Sequence, residues 1–302
     1  MQQAVLARID RVTDDVVALT LAADADEGEL APWEPGAHID LSLPNWLTRQ
    51  YSLCGDPADR ATYRVAVRYD PLSRGGSEYV HRFLRPGRRL GVSLPRNHFP
   101  LVAAPRYLFL AGGIGITPLL PMLRAARARQ LPAELVYSGP TAESMPFADE
   151  LRPLSGVRIV ETKRQGRQDL EALAATLEGD TLVYCCGPAS MLAAAEAVFP
   201  VERLHTERFQ PVARAFGPDT AFEAVCARSG GTVAVPADES LLDALAHAGR
   251  PLPSGCREGV CGSCEITVLD GAPEHRDDIG APEGRMYPCV SRALSPRLVL
   301  DL

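Results

Sequence analysis

The 302-residue sequence lacks an uninterrupted apolar run long enough to cross a membrane. Its most apolar stretch, "YLFLAGGIGITPLLPML" (107–123), is broken by three glycines and two prolines. It therefore reads as strand, loop and helix. The start, "MQQAVLARIDRVTDDV", places acids where the apolar core of a signal peptide would sit, so a cytoplasmic location with reduced thiols is expected. Positive charge is not in excess. The net charge of −7 disfavours nucleic acid as a partner. Internal repeats and low-complexity tracts are also missing. An apolar content of 46 % with 23 % charged residues belongs to a folded protein, and the length calls for two or three domains.

What is present divides into three segments. Residues 1–102 hold short alternating stretches such as "VVALTLAA", "HIDLSL" and "YRVAVRY", punctuated by turn residues at Pro44 and Asn45, Gly55 and Asp56, Pro86 and Gly87. That pattern predicts an antiparallel β-barrel. Residues 103–210 alternate strand and helix, including "RYLFLAGG", "TPLLPMLRAARARQ", "DLEALAATLEG" ending at Gly179, and "TLVYCCG". This predicts an α/β nucleotide-binding domain with a parallel sheet. A Pro- and Gly-containing linker (211–220) leads to residues 221–302, where hairpin, helix "ESLLDALAHAG", cysteine loop and strands follow in the order of a β-grasp domain. Residues 213–302 hold 13 acids and 8 bases, a net −5 that is read either as ordinary solubility or as a docking face.

Eight cysteines in a chain expected to stay reduced point to metal or redox work. Cys256, Cys261 and Cys264 in "GCREGVCGSC" are spaced C-x4-C-x2-C, and Cys289 follows in "YPCVSRA". That is the plant-type [2Fe–2S] spacing, in which a loop wraps two irons with four thiolates. A structural zinc is the alternative, but only Cys261 and Cys264 make a zinc-type knuckle. A Rieske site would need paired histidines, and His275 has no partner at suitable spacing.

Gly112, Gly113 and Gly115 follow a buried strand and precede a helix, with Thr117 as expected N-cap and Pro118 in its first turn. Such a turn either cradles a pyrophosphate or is simply tight. "YCCGPASML" places Cys186, Gly187 and Pro188 at the carboxyl edge of another strand, where a small thiol leaves room for a flat ring; Cys185 reads as core, and Cys186 either way. In the barrel, "RQYSL" and "VRYDPLSRGGS" gather Arg49, Arg68, Arg74 and Ser77 around Gly75 and Gly76, either a terminal-phosphate site or a flexible turn.

The motifs "RQYSLCGDP", "SRGGS", "LPRNHFPL", "LAGGIGITP", "VYCCGPASML", "CREGVCGSCE", "HRD" and "CVSRA" occur in this order. With them the whole chain resembles the phthalate dioxygenase reductase family, which includes the vanillate demethylase reductases. The resemblance implies an FMN-binding barrel of the ferredoxin-reductase type, an NADH domain and a plant-type ferredoxin domain. It also implies electron delivery to a terminal oxygenase, most often a Rieske non-haem iron protein. By motif, Arg49, Tyr51, Ser52 and Leu53 would hold the flavin, with Val67 and Arg68 along it and Gly75, Gly76 and Ser77 on its phosphate. Thr117 would sit near the reactive edge of the flavin and Phe209 would cover it. Gly112, Gly113, Gly115, Cys186, Gly187 and Pro188 would meet NADH, and Cys256, Cys261, Cys264 and Cys289 the cluster. "YSGPTAES" departs from the family by having Gly139 and Pro140 where an Arg often follows Ser or Thr, and its lack of a basic cluster favours NADH over NADPH.

A nicotinamide gives up two electrons together and a [2Fe–2S] cluster takes one, so all three groups in one chain imply a two-to-one electron splitter. The open alternatives are an electron donor to a cytochrome P450, a redox-sensing regulator with a labile cluster, and a stand-alone NADH oxidase or ferric reductase.

Overall fold

Alternation in the first hundred residues builds six strands: β1 (Gln2–Arg11), β2 (Val16–Ala23), β3 (His38–Ser42), β4 (Thr48–Ser52), β5 (Thr62–Arg68) and β6 (Arg89–Val92). They lie in the order β4-β3-β6-β1-β2-β5, and every neighbouring pair is antiparallel. An antiparallel bridge between Leu53 and Val65 joins the two edge strands and closes the barrel. Its interior is filled by Leu6, Leu19, Leu21, Ile39, Leu41, Leu53 and Val65. A short helix, α1 (Gly76–Arg82), follows β5. The computed structural model describes residues 1–25 and 28–302.

The next segment is a five-stranded sheet of β7 (Arg106–Gly112), β8 (Ala133–Gly139), β9 (Val157–Glu161), β10 (Thr181–Cys186) and β11 (Leu204–Glu207). All its pairings are parallel, in the order β11-β10-β7-β8-β9. Helices α2 (Ile116–Ala128), α3 (Ala148–Leu151), α4 (Thr162–Gln165), α5 (Leu170–Ala174) and α6 (Ala189–Val198) connect them. Barrel and sheet share one apolar cluster in which Val16, Ala18 and Ala66 pack with Phe109, Ile116 and Leu120. Met1–Glu207 accordingly forms one compact unit.

Two expectations change here. Thr117 does not cap α2: a 3-10 turn, Gly113–Gly115, runs directly into the helix, so the chain is already helical at Ile116 and the Thr117 hydroxyl donates back to the Ile114 carbonyl at 2.9 Å. Helix α5, expected to reach Gly179, ends at Ala174. The Thr176 hydroxyl bonds the Leu173 carbonyl at 2.7 Å, competing with continued helix.

Arg208–Leu302 is the second unit. Its sheet comprises β12 (Phe222–Cys226), β13 (Thr232–Val235), β14 (Ile266–Asp270), β16 (Arg285–Met286) and β18 (Arg297–Leu300), in the order β13-β12-β18-β14-β16. A two-stranded ribbon of β15 (Pro273–Glu274) and β17 (Arg292–Ala293) lies apart from it. Helix α7 (Leu241–His247) starts at Ser240, whose hydroxyl accepts from the Asp243 amide at 3.1 Å. Hairpin, helix, loop and a final strand parallel to β12 make the β-grasp. Among the described residues no helix is long and apolar enough to cross a membrane.

Candidate functional site

Strand β4 carries Arg49 to the turn before α1. The Arg49 guanidinium donates to the Thr48 carbonyl at 2.8 Å and to the Arg74 carbonyl at 3.2 Å. Its stem lies on Gly76: a Cβ there would stand 2.7 Å from Arg49 Cγ and Nε. Gly75 adopts φ +83°, which positions the turn. The Ser77 hydroxyl accepts from the Asp70 amide at 3.1 Å and lies 2.9 Å from the Ser73 hydroxyl. A guanidinium, a glycine turn and clustered hydroxyls suit a terminal phosphate. Tyr51 is half-buried beside them, and burial raises its phenol above the ordinary value while Arg49 draws it down. Arg68 is exposed. Val67 and Leu53 point into the barrel core. The Val67 carbonyl is bonded by His81 at 2.9 Å and the Leu53 amide by Ala37 at 2.8 Å.

At the carboxyl edge of the parallel sheet two loops meet. A Cβ on Gly115 would lie 2.3 Å from the Cys186 carbonyl oxygen, and one on Gly112 2.5 Å from Pro188 Cδ. Only glycine permits this approach, which joins residues 112–115 to residues 186–188. Gly113, at φ +53°, has open space around it. The Tyr137 hydroxyl, 3.0 Å from the Gly113 and Pro146 carbonyls, holds the first loop from below. Thr117 is buried in the first turn of α2.

Glu207 belongs to none of the sequence motifs. It ends β11, beside Cys186 on β10. The Cys186 thiol faces Glu207 Oε2 at 4.0 Å, and the Ser52 hydroxyl donates to the same carboxyl group. Burial pushes Glu207 up to about 8, with Ser52 opposing, and burial likewise raises the Cys186 thiol. Near neutral pH the three groups thus form a small, uncharged junction between barrel and sheet. The signal available was an acid at the carboxyl end of a strand, two positions before Phe209. Phe209 itself lies in the second unit and is 42 % exposed.

Glu207 also has a consequence for stability. Its pKa in the folded state lies above the ordinary 4.5, so folding favours the protonated form. That contribution is fully present below about pH 4.5 and is lost as pH rises through about 8. The melting temperature of Glu207→Gln is expected to fall less than that of the parent chain between these limits. Parallel melting curves would contradict the assignment.

In the second unit the four cysteines stand as two pairs. The Cys256 thiol donates a hydrogen bond to Cys261, and the Cys289 thiol donates one to Cys264. Among the described residues no three His, Cys, Asp or Glu side chains converge as a single ion would require. Two pairs are what two irons, each with two thiolates, would use. Backbone amides serve the sulfurs: Glu258 N lies 3.3 Å from Cys256 Sγ, and Ser263 N 3.5 Å from Cys261 Sγ. The Cys256 thiol, the Ser263 hydroxyl and the amides of Cys256 and Ser263 together hold Cys261 down to about 6 against burial. Within each pair one thiol is drawn down and its donor partner pushed up.

Comparison with known proteins agrees with this arrangement. Residues 225–294 match the model of the 2Fe-2S iron-sulfur cluster binding domain. The vanillate O-demethylase oxidoreductase of Pseudomonas sp. strain HR199 is 38 % identical, with 100 % of both chains covered. The phthalate dioxygenase reductase structure, described as modular for electron transfer from pyridine nucleotides to [2Fe-2S], is 34 % identical with a TM-score of 0.73, covering 99 % of this chain and 97 % of that one. An intact type IV self-sufficient cytochrome P450 monooxygenase is 40 % identical with a TM-score of 0.90; it covers all of this chain, which spans 41 % of that longer one. A barrel, a parallel nucleotide-type sheet and a β-grasp cluster domain in one chain, matched end to end by such relatives, place this protein in the phthalate dioxygenase reductase family of oxygenase reductases.

Proposed function

We propose that this chain takes electron pairs from NADH and releases them singly, through FMN in the barrel and a [2Fe–2S] cluster on the thiol loop, to a cytoplasmic terminal oxygenase of the Rieske non-haem iron type. The observation that carries this reading is the junction of Ser52, Cys186 and Glu207, which joins the barrel site to the nucleotide loops within one unit. Arg49, Gly75, Gly76 and Ser77 hold the flavin phosphate, which favours FMN over FAD. Tyr51, Ser52, Arg68 and the main chain at Leu53 and Val67 line the rest of the flavin. Gly112, Gly113, Gly115, Thr117, Cys186, Gly187 and Pro188 receive the nicotinamide half of NADH.

Bound there, the flavin would supply the exchange between two-electron and one-electron chemistry. The protein's own part is positional and protonic. Glu207 keeps a proton on its carboxyl group below about pH 8, beside the Ser52 hydroxyl. Cys186 remains a neutral thiol, so a flat ring meets a small, uncharged surface. At the end of β9, opposite Gly139, Glu161 accepts from the Ala142 amide at 3.4 Å and pairs with Arg164 at 3.3 Å. The "YSGPTAES" turn offers no basic cluster to a 2′-phosphate, which favours NADH over NADPH.

The test is single-turnover reduction of a purified Rieske-type oxygenase and, separately, of a purified P450. Transfer to the Rieske centre is expected, slowing as salt rises, because 13 acids against 8 bases in residues 213–302 act mainly on encounter. Flavin reduction by NADH stays level across the same series. A haem acceptor is the second reading, supported by the likeness to the self-sufficient P450. Reduction of the P450 alone would replace the first reading with the second.

A further inference from the structure

Asp277 differs from the acids around it in the second unit. Its side chain is only 1 % exposed. Oδ2 accepts from the Gly280 amide at 2.8 Å. Oδ1 is buried and has no hydrogen-bond partner among the described residues, and His275 Nδ1 stands 3.9 Å from it, beyond hydrogen-bond reach. The charges next to it in sequence are matched. Arg276 pairs with Asp219 at 2.7 Å and with Glu274 at 2.8 Å, and Asp278 pairs with Arg214. An asparagine would serve the Gly280 amide equally well, so the turn alone does not account for a buried carboxylate. Burying such a charge costs stability, and the charge acts strongly on whatever lies beside it.

What lies beside it is the thiol loop. A Cβ on Gly259 would stand 3.0 Å from Asp277 Cα and 3.3 Å from Asp277 Cβ. Gly259 lies between Cys256 and Cys261. Its amide donates to the Cys289 sulfur, and its carbonyl accepts from the Asp278 amide at 3.0 Å. Further along the same segment, Ile279 and Ala281 pack against Leu242, Cys264 and Tyr287. The Tyr287 phenol is raised by burial and by Glu265, and after these by both Asp277 and Cys264. The carboxylate and a ligand thiol thus act on the same ring.

We propose that Asp277 sets the reduction potential of the iron–sulfur cluster, its buried and unmatched charge holding that potential down. The step concerned is a one-electron reduction, in which the cluster gains one negative charge and no bond forms or breaks. A fixed negative charge nearby disfavours the reduced form. Unit charges about 12 Å apart, at an effective dielectric of about 20, shift such an equilibrium about tenfold. For a one-electron centre that factor is about 59 mV. Burial also leaves the effect little screened by salt. The inference rests on the cluster reading of the thiol loop and on nothing about flavin, nicotinamide or acceptor.

The experiment is a potentiometric titration of the full-length holoprotein with dithionite and mediators, followed by electron paramagnetic resonance. It compares the parent with Asp277→Asn, Asp277→Ser and Glu283→Gln. The first two keep an oxygen for the Gly280 amide and remove the charge. Glu283 is exposed six residues further on, and its substitution removes the same formal charge from a solvated site. Both Asp277 variants should favour the reduced cluster about tenfold more than the parent, an upward shift of about 59 mV. The shift should persist at high salt, with iron content and g values unchanged, while Glu283→Gln stays with the parent. Parent-like potentials in the Asp277 variants, or an equal rise in Glu283→Gln, would overturn the proposal. So would a rise that vanishes at high salt. If neither Asp277 variant assembled a cluster, the side chain would be building the loop rather than tuning it, and the proposal would fall. A parent chain with no reduced-cluster signal would refute the reading of the thiol loop itself, and the proposal with it.

Discussion

Cys289→Ser lowers electron delivery to cytochrome c by about a hundredfold or more, while NADH still bleaches the flavin at nearly the parent rate. Cys289 is half of the pair with Cys264, and it enters the loop from a segment outside the "GCREGVCGSC" run. Serine offers a harder and more basic oxygen in place of a thiolate, so one iron loses a strong ligand. The remaining pair, Cys256 with Cys261, cannot hold two irons alone. Met1–Glu207 has apolar cores of its own, built without this residue. Stopped-flow absorbance of the flavin and steady-state cytochrome c reduction separate the two steps. An equal fall in both would mean that the cluster loop supports the flavin site directly.

Gly115→Ala has the opposite signature. The added methyl would stand 2.3 Å from the Cys186 carbonyl oxygen and 2.8 Å from the Gly187 amide nitrogen. Both neighbours are backbone, so no side-chain rotation relieves the contact, and the two nucleotide loops must part. A misplacement of about 1 Å between reacting partners costs on the order of a hundredfold in rate. Flavin reduction by NADH should therefore fall by about that factor, with the flavin content and the cluster spectrum intact. A variant within about threefold of the parent would show that these loops do not set the geometry of the transfer.

The two substitutions differ in how far each site could be read from sequence. The thiol loop was legible because its ligands follow a spacing that two irons impose locally, and the barrel because period-two alternation is a local signal too. Glu207 was not, since its meaning lies in Ser52 and Cys186, which reach it only through the fold. Thr117 looked like an N-cap by residue type, but Gly113–Gly115 had already begun to coil. Arg49 was picked out by its motif, whereas its seat on Gly76 required the turn before α1. Residues 211–220 have the Pro and Gly content of a linker, and their bonds to Arg276, Asp278 and Arg292 are long-range and carry no local sequence signal.

An electron splitter stores an electron pair at one site and passes single electrons through another. The direct measurement is an anaerobic titration of the holoprotein with NADH, followed by absorbance and by electron paramagnetic resonance. Three electrons per chain should be taken up, about 1.5 equivalents of NADH, with the rhombic signal of a reduced [2Fe–2S] cluster integrating to about one spin. Saturation at about one equivalent with no cluster signal would contradict it.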